Sequence, residues 1–151
     1  MQVTAQAQLK GFLAKYTPEM RANAASIIAE MMRILPGAVR MVYDNYNALV
    51  VGFGPSEKVS EAIFSIAVYP RWVTLFFLRG ARMYDPVGVL QGKGSVVRHV
   101  VLAGPEDLKR PDIAELMEQA LDLAKRPIDP EAGEKLVIKS VSAKQRARRP
   151  G

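Results

Sequence analysis

Val39-Arg40-Met41-Val42-Tyr43, Asp44-Asn45-Tyr46-Asn47 and Ala48-Leu49-Val50-Val51-Gly52-Phe53 run consecutively through residues 39–53. In both flanks β-branched and aromatic side chains recur with a period of about two, the signature of half-buried strands. The four residues between them suit a hairpin loop, because Asp and Asn side chains bond the nearby backbone and tolerate positive φ. The reading is therefore a β-hairpin.

Downstream, Gly54-Pro55-Ser56-Glu57 breaks the pattern, and Ala62 to Tyr69 predicts a third strand. Pro70-Arg71 makes a tight turn into a fourth, Trp72 to Leu78. A long loop, Arg79 to Ser95, leads to a fifth strand, Val96 to Leu102. Short links between consecutive strands imply an antiparallel meander. Upstream the period is helical. Leu9, Phe12, Leu13 and Tyr16 mark a helix over about residues 3 to 15. Thr17-Pro18-Glu19 supplies a capping hydroxyl, a proline where no N–H is needed and a carboxylate at the positive end of the dipole. Met20, Ala24, Ile27, Ile28, Met31 and Leu35 continue that second helix to Pro36-Gly37. Helical spacing returns at Ile113, Leu116, Met117, Ala120, Leu121 and Ala124, and Leu136 to Val141 reads as a last short strand. Helices, then strands, then a helix give an α+β class: an antiparallel sheet of about five strands with helices on one face. Residues 1–141 read as a single domain and 142–151 as a flexible basic tail.

A sheet covered on one face leaves the other to be polar or to meet a partner. In the fourth strand Val73, Leu75 and Phe77 oppose Thr74, Phe76 and Leu78, and both sets are largely apolar. In the third, Ile63, Ser65, Ala67 and Tyr69 mix small, hydroxyl and aromatic side chains, which predicts a concavity fit for a small molecule or a second copy of the chain. Arg98 and His99 diverge in the fifth strand; Arg98 is placed on the open face or its rim, and His99 reads as a structural histidine. Gly92-Lys93-Gly94-Ser95 offers a nest of backbone N–H groups for an anion, beside Arg71 and Arg98. Tyr69, Arg71, Phe76, Lys93, Ser95 and Arg98 are accordingly the candidate ligand-binding residues.

Other motifs fail on chemistry. Gly88 to Ser95 imitates a phosphate-binding P-loop, but only three residues separate the first glycine from Gly92-Lys93, Gly94 displaces the required hydroxyl, and a strand follows where a helix is needed. Glu57 and Glu61 share a helical turn, yet two carboxylates seldom suffice for a hard metal. No Ser-His-Asp arrangement is assignable around His99. The reading is of a protein without a catalytic constellation, a metal site or a cofactor.

Composition sets the same limits. The 151 residues include no Cys and one His, which removes thiolate zinc sites, iron–sulfur clusters, disulfides and multi-histidine centres. The formal charge of +6 is uneven: five basic and no acidic side chains lie in residues 139–151, and the body is nearly neutral. The start has neither a basic n-region nor an apolar h-region, and Val73 to Leu78 is too short to cross a bilayer, so a cytoplasmic protein away from membranes is expected.

Tyr46 to Phe53, Tyr69-Pro70-Arg71-Trp72-Val73-Thr74-Leu75-Phe76-Phe77, and Gly92-Lys93-Gly94-Ser95 followed by Val97-Arg98-His99 resemble the YdhG-like bacterial domain-of-unknown-function family. The similarity covers roughly residues 8 to 125, and the Lys-Gln-Arg near the end is similar too. The resemblance implies a two-layer sandwich related in shape to frataxin, and some members are described as iron chaperones. The acidic first helix that goes with frataxin-type iron binding has no counterpart here, where Val3 to Tyr16 holds Lys10 and Lys15 and no acid. The expectation is a small binding or interaction domain for an anionic or small apolar ligand on the open sheet face. The alternatives are a frataxin-like iron carrier, nucleic-acid contact through the basic tail, and a homodimer through the same face.

Overall fold

The computed structural model describes residues 3–151; the first two residues of the expected domain lie outside the described residues. Helix α1 (Ala5–Leu13) begins where the Thr4 hydroxyl accepts a hydrogen bond from the Ala7 N–H at 3.1 Å. Helix α2 (Pro18–Ile34) is capped in the same way by Thr17, whose oxygen accepts from Met20 N at 3.3 Å, with Pro18 in the first turn. Each cap satisfies a backbone donor that has no partner inside its helix. Gly37 ends the second helix at a φ of +83°, and a Cβ there would lie 1.9 Å from the Asp129 carbonyl. Only glycine serves where the chain must turn in the left-handed region against another backbone.

The hairpin of residues 39–53 forms as read: β1 (Val39–Asp44) pairs antiparallel with β2 (Leu49–Gly54). Strands β3 (Phe64–Val68), β4 (Val73–Phe77) and β5 (Arg98–Leu102) continue the meander. Helix α3 (Pro111–Asp122) follows, and β6 (Lys135–Val141) completes the order β5-β4-β3-β2-β1-β6. The class is α+β, but the sheet has six strands and is mixed. Strand β6 runs parallel to β1, with a register irregularity between Val42 and Tyr43. A parallel neighbour needs a long crossover, and the segment carrying α3 is that crossover, from the β5 edge back to the free edge of β1.

Every helix packs on one face. Leu9, Leu13, Ile27, Met31, Ile113, Leu116 and Met117 meet Val42, Leu49, Val51, Phe53, Phe64, Ile66, Leu75, Phe77 and Val100 in one apolar cluster. Phe64 and Phe77 meet edge to face there, centroids 5.6 Å apart at 77°. Burying each such ring stabilises the fold by about 1.5–3 kcal/mol, so this layer supplies the main driving force. Among the described residues, no helix is long and apolar enough to cross a membrane.

The C-terminal segment is not the free tail expected. Ser142 N donates to the Asp44 carbonyl, Arg146 N donates to the Tyr46 carbonyl, and Arg148 is buried. A run of like charge reads as solvated by default; here a buried carboxylate far away in sequence captures one member of the run.

Candidate functional site

Register places Val137, Met41, Gly52, Ser65, Phe76 and His99 in one row across the face away from the helices. The next row holds Tyr43, Val50, Ala67, Thr74 and Val101. The small side chains fall at the centre of the sheet and the large ones around them. The result is a hollow of about 580 Å³, lined by Val50, Ser65, Ala67, Tyr69, Phe76 and the Asn45–Ala48 loop. No helix lines it, but the face is not bare: Met41, Ser65, Ala67 and Thr74 are buried, and Met41 packs with Val39, Ala62, Tyr43 and Leu78 in a second, smaller apolar cluster. Phe76 and His99 lie side by side at its β5 side, ring centroids 5.6 Å apart.

At the strand ends near the β3–β4 turn the hollow continues into a second groove, of about 500 Å³, and the two share Asn47 and Tyr69. Its chemistry is different. Tyr69 and Trp72 stack with centroids 5.1 Å apart at 25°, and Trp72, the sole tryptophan, is 45% exposed. Arg71 projects from the turn, while Arg146 and Arg149 enter from the C-terminal segment. Arg146 lies over the Tyr46 ring at 5.8 Å, and Arg149 Nε donates to the Lys15 carbonyl at 3.1 Å. Among the described residues none of these three guanidiniums is in an ion pair. Three cations around a stacked aromatic pair attract an anion that has a flat face.

The C-terminal segment is held in place from below. Asp44, fully buried at the end of β1, accepts from Lys15 Nζ at 2.7 Å and from Arg148 Nη2 at 2.9 Å. Gln145 Nε2 adds a bond to the Asp44 carbonyl at 3.0 Å. Burial alone drives this carboxyl upward, but hydrogen bonds from Lys15, Gln145 and Arg148 outweigh it and hold the pKa below the ordinary aspartate value. Tyr16 closes the same corner: its hydroxyl donates to the Val68 carbonyl at 2.6 Å and accepts from Leu49 N at 3.1 Å. Helix, hairpin and C-terminal segment are thereby fastened together beneath the groove.

Of the six residues singled out from the sequence, Tyr69 and Phe76 share the hollow, and Tyr69 and Arg71 share the groove. Lys93 and Ser95 are exposed in the loop before β5 and line neither. Arg98 is not on the open face. It pairs with Phe77, in register with the helix-covered side, and its guanidinium bonds the carbonyls of Gly94 and of Val97 in its own loop. His99 is the residue on the open side. The alternation of β5 was legible, but its phase is set by Val100 and Leu102 entering the core, which leaves Arg98 on their side. The loop itself is pinned by the Asp85 carboxylate, which accepts from Val89 N at 3.0 Å and Leu90 N at 2.8 Å. Glu57 and Glu61 are engaged with Lys135 and with Arg126, respectively. Trp72, Arg146 and Arg149 were missed as site residues. The signal for Trp72 was its place on the Tyr69 side of the turn, whereas nothing local announces that residues 146 and 149 return to it. Compared with models of protein families, with curated proteins and with solved structures, the chain matches none.

Proposed function

We propose that this protein is a binding domain whose ligand is a planar anion of the nucleotide type, held in the groove beside the β3–β4 turn. The observation that carries the reading is the stacked Tyr69–Trp72 pair with Arg71, Arg146 and Arg149 around it. A ring laid on the exposed Trp72 face gains about 1–3 kcal/mol from stacking, and the guanidiniums meet its phosphate through charge-assisted bonds. The hollow on the open face, continuous with the groove through Tyr69, offers the apolar part of such a ligand a place to extend. No reaction is assigned to it.

Because Trp72 is the sole tryptophan, its emission reports on the groove directly. Titration with a mononucleotide is expected to quench it, and Arg71→Ala or Arg146→Ala to weaken binding about tenfold, a loss of about 1.4 kcal/mol. Unchanged emission and no heat of binding at millimolar nucleotide would refute the proposal. A second reading, single-stranded nucleic acid, is favoured by the docking of two of the C-terminal arginines in the same groove. It predicts that a short oligonucleotide binds more tightly than the mononucleotide, with affinity falling steeply as salt rises.

We further infer kinship with the YdhG-like group and, through it, a frataxin-type shape. Its support is the arrangement of all helices on one face of a mostly antiparallel sheet. Iron carriage has no grouping of three or more His, Asp or Glu side chains behind it among the described residues.

A further inference from the structure

A separate groove of about 500 Å³ runs between α1 and α2, on the helical side of the molecule. Leu9, Leu13, Ile28 and Met32 supply its apolar wall, with Ala25 and Ala29 keeping it open on α2. It follows α1 from Thr4 to Leu13, about 14 Å at 1.5 Å per residue. A cleft of this size, apolar with a few polar groups, has the dimensions of a small-molecule site.

One polar group is unusual. Arg40 alternates with Val39 and Met41 along β1 and so projects toward the helices, where it lines this groove. Its side chain is only 11% exposed, and its Nε is buried with no hydrogen-bond partner. Among the described residues the one carboxylate within 4 Å is that of Glu134, 3.9 Å from Nη2, beyond hydrogen-bond reach and itself 64% exposed. A largely desolvated guanidinium without a bonded anion is costly, and its planar fork matches a carboxylate. The exposed Lys10 of α1 adds a second positive charge to the lining, and α1 carries no acid.

We propose that this groove binds a single-chain amphiphile, a medium-length acyl carboxylate, with the head on Arg40 and the tail along α1 between Leu9 and Met32. The site is distinct from the nucleotide groove and does not depend on it. The neutral head of an ester or alcohol would leave the Arg40 fork unpaired, so the charged head is the specific element, and the tail contributes through the apolar area it buries.

Titration calorimetry of the full chain with decanoate, kept below its micelle-forming concentration, tests this directly against methyl decanoate. Binding of decanoate at least tenfold tighter than its ester is expected. Arg40→Met, which keeps the stem and removes the fork, should abolish that preference. Because it removes a buried cation that no carboxylate hydrogen-bonds, the variant should fold as well as the parent chain. Ala29→Trp, at an exposed position on the groove wall, should block both compounds without touching Arg40. Equal affinity for acid and ester, undiminished preference in Arg40→Met, or full binding by Ala29→Trp would overturn the proposal, as would no binding of decanoate at all.

Discussion

Arg40 and Arg148 face one problem with opposite outcomes. Both are guanidiniums taken largely out of water, and both keep a buried Nε without a partner. Arg148 has Asp44 at 2.9 Å, whereas Arg40 has only a distant, exposed glutamate. That contrast fixes what a substitution at Asp44 does. Asp44→Asn strands Arg148 in the interior without its counter-charge, and breaking a buried pair in this way costs about 3–5 kcal/mol. Urea denaturation checks it: a shift corresponding to less than about 1 kcal/mol would mean that the pair is effectively solvated. Replacing both residues, Asp44→Asn with Arg148→Met, should recover part of the loss, since the two sites are coupled. From the sequence, Asp44 reads as a turn former at the mouth of a hairpin. Its position was legible, but its burial was not, because its partners Lys15 and Arg148 lie 29 and 104 residues away.

Among the elements, the strands and helices that alternate cleanly were visible in the sequence, since periods of 2 and 3.6 follow from where side chains point. The hairpin of β1 and β2, the capped start of α2 and the core stripe of α3 all belong to this group. Strand β6 could be read as a strand, but its parallel partner could not, because pairing across a crossover leaves no local mark. The segment after β6 was harder still. Its charges suggest solvent exposure, yet Ser142, Gln145, Arg146 and Arg148 tie it to the Asp44–Tyr46 corner. Removing residues 142–151 should therefore lower the melting temperature about as much as Asp44→Asn does, and should speed amide exchange at Asn45 and Arg40–Tyr43. A free tail would leave both unchanged. For the same reason point substitutions at Arg146 and Arg149, whose side chains lie outside the buried pair, separate ligand binding from folding better than truncation does.

Over the whole molecule, the acid response follows from which carboxylates are held in the folded state. Glu30, Glu57, Glu61 and Asp112 are all lowered, through hydrogen bonds from Arg33, Lys135, Ser56 and Arg110. Glu57 and Asp112 are well exposed and Glu30 and Glu61 partly so, each beside an exposed basic partner, and pairs at the surface contribute little. Asp44 differs because its partners are fixed by the fold and it has no water to fall back on. Its folded pKa lies below the ordinary value of 3.8, so the folded state binds its proton less readily than the unfolded chain does. The stability it contributes is then complete above that ordinary value, and it is lost progressively as pH falls from there through the lowered one. Chemical denaturation at a series of pH values from 7 down to 2.5 should show a plateau near neutrality and a steep decline on the acid side. In Asp44→Asn the plateau should be lower and the decline shallower, since the dominant proton-linked group is gone. If parent and variant curves run parallel through the acid range, the coupling resides in the surface carboxylates, and the corner that fastens the C-terminal segment beneath the groove is not the electrostatic centre of the fold.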